Sequence, residues 1–317
     1  MVKMVQLILK FAKVLSAVFV SMLFTLEVFA GSPGTSAAQF LKIDVGARPV
    51  GMGGASVALA KDIDALYYNP AGLVGLKTGG GGATLSHTVW LEGTSVEYVG
   101  FGYKFSKSIA LGLAATMFNS GSMDKTDNTG ANIGTFGMTS TVIAPVVSMR
   151  VSKSVAIGIS AKMIQESIDN ASGSTFGVDV GGLIKNIGGN KRICLGFVVQ
   201  NAGSGLKVDK ETSSLPMNIK VGTGYNLDKL NLGVDISMPS DEGVGVNLGC
   251  EYALFQDAAG GLYARAGVAT AKMADLGAMG GLALGVGYNT KVVKFDYAFS
   301  PAGDLGTAHR VSMGLNF

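Results

Sequence analysis

Along most of the chain, bulky apolar residues occupy every second position. Val99, Phe101, Tyr103 and Phe105 alternate with glycines and Lys104. Ile109, Leu111, Leu113, Ala115 and Met117 alternate with Ala110, Gly112, Ala114 and Thr116, and Val155, Ile157, Ile159, Ala161 and Met163 with Ser154, Gly158, Ser160 and Lys162. Period two sends alternate side chains to opposite faces of a strand, so one face is apolar and the other small or polar. A transmembrane β-barrel has this pattern, with lipid outside and a polar or tightly packed lumen. Lipid tolerates no unpaired backbone groups, so the sheet must close. No apolar run after residue 30 is long enough for a spanning helix.

The pattern predicts about fourteen strands, an even number within the range of bacterial outer-membrane barrels. Their spans are 82–90, 95–105, 108–119, 134–150, 153–168, 173–187, 190–202, 215–226, 229–239, 243–255, 260–270, 276–288, 291–299 and 307–317. Every second connection is tight, as at Ser106-Lys107, Val151-Ser152, Gly188-Gly189, Leu227-Asp228, residues 256–259 and Asn289-Thr290. The intervening 120–133, 203–214 and 300–306 are longer and rich in turn residues. Short periplasmic turns opposite longer outer loops are the habit of these barrels. A soluble sandwich or propeller would carry charge on its outer face, and charge is scarce on both faces here.

Composition supports the reading. Of 317 residues, 48% are hydrophobic, 15% are charged and 47 are glycine, which excludes disorder; no G-X-Y period exists, which excludes collagen. Lys3, Lys10 and Lys13 precede an uncharged run over residues 14–26, followed by Val28-Phe29-Ala30. This reads as an export signal cleaved after Ala30. Its loss takes the formal net charge from +3 to +1, which offers no footprint for nucleic acid. The organisation expected is a signal peptide over 1–30, a plug segment over 31–80 and the barrel over 81–317. Cys194 and Cys250 fall on opposite faces by local alternation, so no disulfide is expected.

The chain ends in Val311, Met313, Leu315 and Phe317 alternating with Ser312, Gly314 and Asn316. This resembles the C-terminal signal by which the barrel-assembly machinery recognises outer-membrane proteins. Residues 31–80 differ in texture: a short helical stretch is expected over 56–68, stopped at Asn69-Pro70. The motifs Asp44-Val45-Gly46-Ala47-Arg48, Gly51-Met52-Gly53-Gly54-Ala55, Ala58-Leu59-Ala60 and Tyr67-Tyr68-Asn69-Pro70-Ala71-Gly72-Leu73 resemble the opening of PorV/PorQ-family outer-membrane proteins. These are relatives of the FadL-like long-chain fatty acid transporters. The resemblance implies that the N-terminal segment folds into the lumen as a hatch. Gly51, Gly53, Gly54, Asn69, Pro70, Ala71 and Gly72 then belong to the plug. Pro49-Val50 and Ile63-Asp64 depart from the pattern without breaking it.

Catalytic chemistry finds little support. Gly51, Gly53 and Gly54 lack the strand-loop-helix context and the lysine of a phosphate-binding loop. The two histidines, His87 and His309, sit on strands that closure makes neighbours, but Ser86 and His87 point to opposite faces. No His, Cys and carboxylate spacing fits a metal, and no cofactor is expected. Charges within strands (Glu97, Lys104, Lys162, Glu166, Asp179, Lys220, Asp235, Glu251, Arg265 and Asp296) should face the lumen or sit at the rims. The function expected is passive transport of hydrophobic small molecules across the bacterial outer membrane, without catalysis. The alternative implied by the PorV side is a type IX secretion-associated protein that holds or shuttles exported cargo. The partners are then outer-membrane lipid and either a hydrophobic solute or secretion-system proteins.

Overall fold

A computed structural model describes residues 34–317; the export signal expected over 1–30 lies outside the described residues. The strands in chain order are β1 (Gly81–Val89), β2 (Ser95–Lys104), β3 (Ile109–Asn119), β4 (Met123–Thr126), β5 (Asn132–Phe136), β6 (Met138–Arg150), β7 (Val155–Ile168), β8 (Ala171–Ile187) and β9 (Asn190–Gly203). They continue as β10 (Leu206–Lys207), β11 (Thr212–Ser213), β12 (Asn218–Asn226), β13 (Leu230–Pro239), β14 (Gly245–Gln256), β15 (Gly260–Ala269), β16 (Leu282–Thr290), β17 (Val293–Pro301) and β18 (Thr307–Asn316). Short helices are α1 (Ala47–Gly51), α2 (Ala65–Tyr68) and α3 (Thr270–Leu276).

Fourteen strands close into one antiparallel barrel in which β1 pairs with both β2 and β18. The pairs β4–β5 and β10–β11 are separate hairpins within long connections. No helix among the described residues is long and apolar enough to cross a membrane. The period-two pattern is the cause of the fold's polarity: Phe101, Leu113, Ile159, Met163 and Val311 are exposed, while Gly100, Ala114, Ser160 and Arg310 between them are buried. An outward apolar band of this extent is what lipid covers.

Tight connections (105–108, 151–154, 188–189, 227–229, 257–259 and 291–292) gather at one end. The long 120–137, 204–217 and 270–281 lie at the other, although 169–170 there is equally tight. Two strand expectations change. The run over 134–150 is broken, because residues 132–136 fold back on β4 before β6 enters the wall. The strand expected from 276 starts at Leu282, because residues 270–276 coil into α3 and Gly277, at φ 78°, ends that helix.

The N-terminal segment touches one face of every barrel strand. Ile63 lies against Gly82 of β1 and Gly100 of β2, Leu73 against Gly112 of β3, Pro70 against Gly158 of β7 and Asn69 against Gly181 of β8. Val57 lies against Gly196 of β9 and Gly222 of β12, Ala55 against Gly233 of β13, and Met52 against Gly249 of β14. Gly53 meets Gly267 of β15, and Gly51 meets Gly285 of β16. On the remaining strands, Ser148 of β6 donates to the Ala71 carbonyl, Lys294 of β17 pairs with Asp62, and Ser312 of β18 accepts from the Ala47 N–H. A segment in contact with all fourteen walls of a closed barrel is enclosed by them. Its apolar side chains, including Phe40, Leu66, Tyr68 and Leu73, share a core with Tyr98, Val142, Val146 and Ile164 of the wall.

The helix expected over 56–68 is reduced to α2 and two turns. The N–H groups of Ser56 and Val57 donate to the Asp235 carboxylate at 2.6 and 2.9 Å, which diverts the backbone to the wall.

Candidate functional site

The two sequence motifs hold nearly opposite sides of the wall. Asn69 donates from Nδ2 to the carbonyls of Val57 (2.8 Å) and Gly182 (3.1 Å), while its Oδ1 accepts the Ala71 N–H at 3.1 Å. That last bond caps a 3-10 helix, Pro70–Gly75, with Pro70 at its first position, where its missing N–H costs nothing. Ala71 and Gly72 are buried, and a side chain at Gly72 would overlap the Ala60 carbonyl. This element presses on β6, β7 and β8. Gly51, Gly53 and Gly54 press instead on β14, β15 and β16, with Gly53 and Gly54 at φ 63° and 79°.

Between the motifs runs a buried ionic network. Arg48 grips Glu251 through Nε (2.9 Å) and Nη2 (3.1 Å) and reaches Asp64 at 3.4 Å. Arg265 bonds Glu251 and Asp296, each at 2.7 Å, and Lys294 bonds Asp62 at 2.7 Å. Burial pushes Asp62 up, but Lys294 and Arg48 outweigh it and hold that carboxyl well below the usual carboxylate range. Burial and the neighbouring Asp62 charge push Asp64 up to about 7. Of the strand charges expected at the lumen or rims, Glu97 alone faces outward, near the long-loop end, where it meets His87 at 2.6 Å. Lys162 of β7 bonds Asp179 and Asn201, each at 2.7 Å, beside a bulge between β8 and β9.

His309 bonds Tyr297 and Thr307, while Ser86 accepts from Ser312 on the inner face. Serine and histidine are thus parted by the strand. Cys194 is buried and Cys250 lies on the outward face; both are free. Arg310 was not singled out by sequence, yet it is fully buried, with Nε on the Asp44 carbonyl at 3.3 Å and its guanidinium 4.7 Å from the Trp90 ring centre. The parity of the final strand, with Val311 outward, carried the signal that Arg310 turns inward. Among the described residues no cluster of three or more His, Cys, Asp or Glu is placed to hold a metal ion.

Among the described residues, three cavities bear on where a solute could sit. The largest, about 510 Å³, is an apolar groove on the outward face over β13–β16, floored in part by Cys250 and Ala266, and therefore faces lipid. A polar cavity of about 200 Å³ opens at the long-loop end and is lined in part by Leu41, Tyr67, Asn201, Lys220 and Asn247. Leu41 and Tyr67 also line a small apolar pocket of about 20 Å³ with Phe40, Leu66, Val142 and Ala144. That pocket abuts an irregularity in the wall. Pairing of β6 with β7 runs to Ile143↔Met163, lapses at Ala144 and Pro145, and resumes at Val146↔Ser160 in the same register. Pro145 has no N–H to give, and a closed barrel has no edge on which to place it.

The monoaromatic hydrocarbon channel CymD is similar over 86% of this chain and 96% of its own, at 12% identity and TM-score 0.60. The toluene transporter TbuX of Ralstonia pickettii aligns over 86% and 97%, at 14% identity and TM-score 0.59. A FadL homologue of Pseudomonas aeruginosa aligns over 87% and 98%, at 11% identity and TM-score 0.58. These likenesses concern the fold, a closed antiparallel barrel of fourteen strands. No protein-family model and no curated protein sequence matches the chain.

Proposed function

We propose that this protein is a FadL-like channel of the bacterial outer membrane that passes hydrophobic small molecules without expending energy. The observation that supports it most is the lapse in the β6–β7 ladder at Ala144 and Pro145, set against an apolar pocket that Ala144 itself lines. With the long-loop end outward, a solute enters through the polar cavity, passes Leu41 and Tyr67, and leaves sideways into lipid at Pro145. At about 20 Å³ the inner pocket holds on the order of one water, so passage requires Phe40, Leu41 or Leu66 to move. The fold shared with hydrocarbon and toluene channels is consistent with small apolar rings as cargo.

In this reading residues 31–80 are the plug, with Gly51, Gly53 and Gly54 seating it on one wall and Asn69, Pro70, Ala71 and Gly72 on the other. The signal peptide is removed after Ala30, and β18, ending beside Phe317, is presented to the assembly machinery. The PorV/PorQ side, with its type IX secretion role, rests on the residues of the opening segment alone. Uptake of labelled toluene and fatty acids into liposomes carrying the pure protein tests the proposal. Transport above empty liposomes is the expected result; no uptake, with co-purification of secretion components from native membranes, would replace it with the secretion reading.

A further inference from the structure

The polar cavity at the long-loop end is lined by charges of both signs. Three lysines line it, Lys42, Lys220 and Lys272, with two carboxylates, Asp44 and Glu242. Lys272 is 3.0 Å from Asp44, and Lys42 is 2.7 Å from Glu242 and 2.6 Å from Asp241. Lys220 has no ion-pair partner among the described residues. The nearby Asp235 is turned to the N–H groups of Ser56 and Val57. Asn247 lines the same cavity and makes no side-chain hydrogen bond among the described residues. Lys220 thus feels the Asp44 and Asp235 carboxylates without a direct ion pair, and its ammonium and the Asn247 carboxamide share the cavity with Leu41 and Tyr67.

We infer that this cavity captures a compact aromatic or alicyclic carboxylate, with Lys220 and Asn247 on the carboxylate and Leu41 and Tyr67 against the ring. The assignment rests on the transport reading and narrows its cargo. A charged acceptor is what an unpaired ammonium and an amide donor jointly satisfy. At about 10–15 Å³ for one water, the volume of about 200 Å³ has room for a substituted ring. The neutral acid alone can leave toward lipid, since charge in hydrocarbon is costly, so capture is the step assigned here.

Calorimetric titration of the full-length mature protein in detergent tests this, with benzoate and benzyl alcohol as probes. Benzoate should bind more tightly than benzyl alcohol. Lys220→Gln should lower the benzoate-to-benzyl alcohol affinity ratio by about tenfold or more, as loss of a charged hydrogen bond does, and Lys220→Arg should retain most of it. A general loss of fold would weaken both probes and leave their ratio unmoved. Absence of benzoate binding to the unaltered protein, or an unchanged ratio in Lys220→Gln, overturns the inference. Toluene uptake without benzoate binding would sink this assignment and leave the transport reading standing; benzoate binding without uptake of any solute would do the reverse.

Discussion

Gly53 of the N-terminal segment and Gly267 of β15 meet backbone to backbone: a Cβ built on Gly267 would overlap the Gly53 nitrogen, and one on Gly53 would overlap the Val268 nitrogen. Neither contact can be relieved by rotating a side chain. Gly53 also holds φ at 63°, where other residues are strained. Gly267→Ala should therefore destabilise the protein by about 1–3 kcal/mol, the range for overpacking, with unfolding in urea as the measure. Ala266→Val, one residue away on the outward face, should change stability by less than about 0.5 kcal/mol.

Glu251 is shared by two buried guanidiniums, Arg48 from the segment and Arg265 from the wall. Removing it leaves both charges without their common partner. Glu251→Ala should cost about 3–5 kcal/mol, as loss of one partner of a buried pair does. It should also speed trypsin cleavage after Lys42 and Lys61 of the segment in protein that has not been heated. Persistence of the native trypsin pattern would show that the glycine contacts alone retain the segment.

Much of the wall was legible because one rule, period two, governs it. Outward Phe101 and inward Gly100 follow from alternation, as do the separated cysteines and the lumen charges. The reason for particular inner glycines was not legible. Gly181 is glycine because Asn69 lies against it and Gly196 because Val57 does, and those neighbours are more than a hundred residues away in sequence. The bulge that turns both Gln200 and Asn201 inward defeats parity. Residues 276–278 satisfied a strand pattern as well as a turn, so local periodicity could not place the end of α3. Pro145 within an alternating run was itself the signal of a broken ladder.

Asp64 gives stability an unusual pH slope. Its carboxyl is raised from 3.8 to about 7 by burial and by Asp62, so the folded state holds a proton that the unfolded state releases. Where the folded state binds more protons, stability falls as pH rises. The favourable contribution is present below about 4 and is lost as pH rises to about 7. Asp62 has the opposite sign: held low, it supports the fold above its unfolded value and fails in acid. Asp64→Asn should flatten the decline between pH 5 and 8, measured by urea midpoints. A slope equal to that of the unaltered protein would assign the titration to another group.

Pro145 interrupts the β6–β7 ladder while its pairing with Leu113 of β3 is kept, so the missing donor faces β7. Pro145→Ala supplies an N–H there without enlarging the side chain. If the interruption is the exit, closing it should act in opposite directions on the two properties. Stability should rise by about 0.5–1.5 kcal/mol for the added hydrogen bond, and toluene uptake into liposomes should fall severalfold. A more stable variant with undiminished uptake would keep the channel and move its exit elsewhere. A less stable variant with undiminished uptake would mean that proline serves the wall and not the passage.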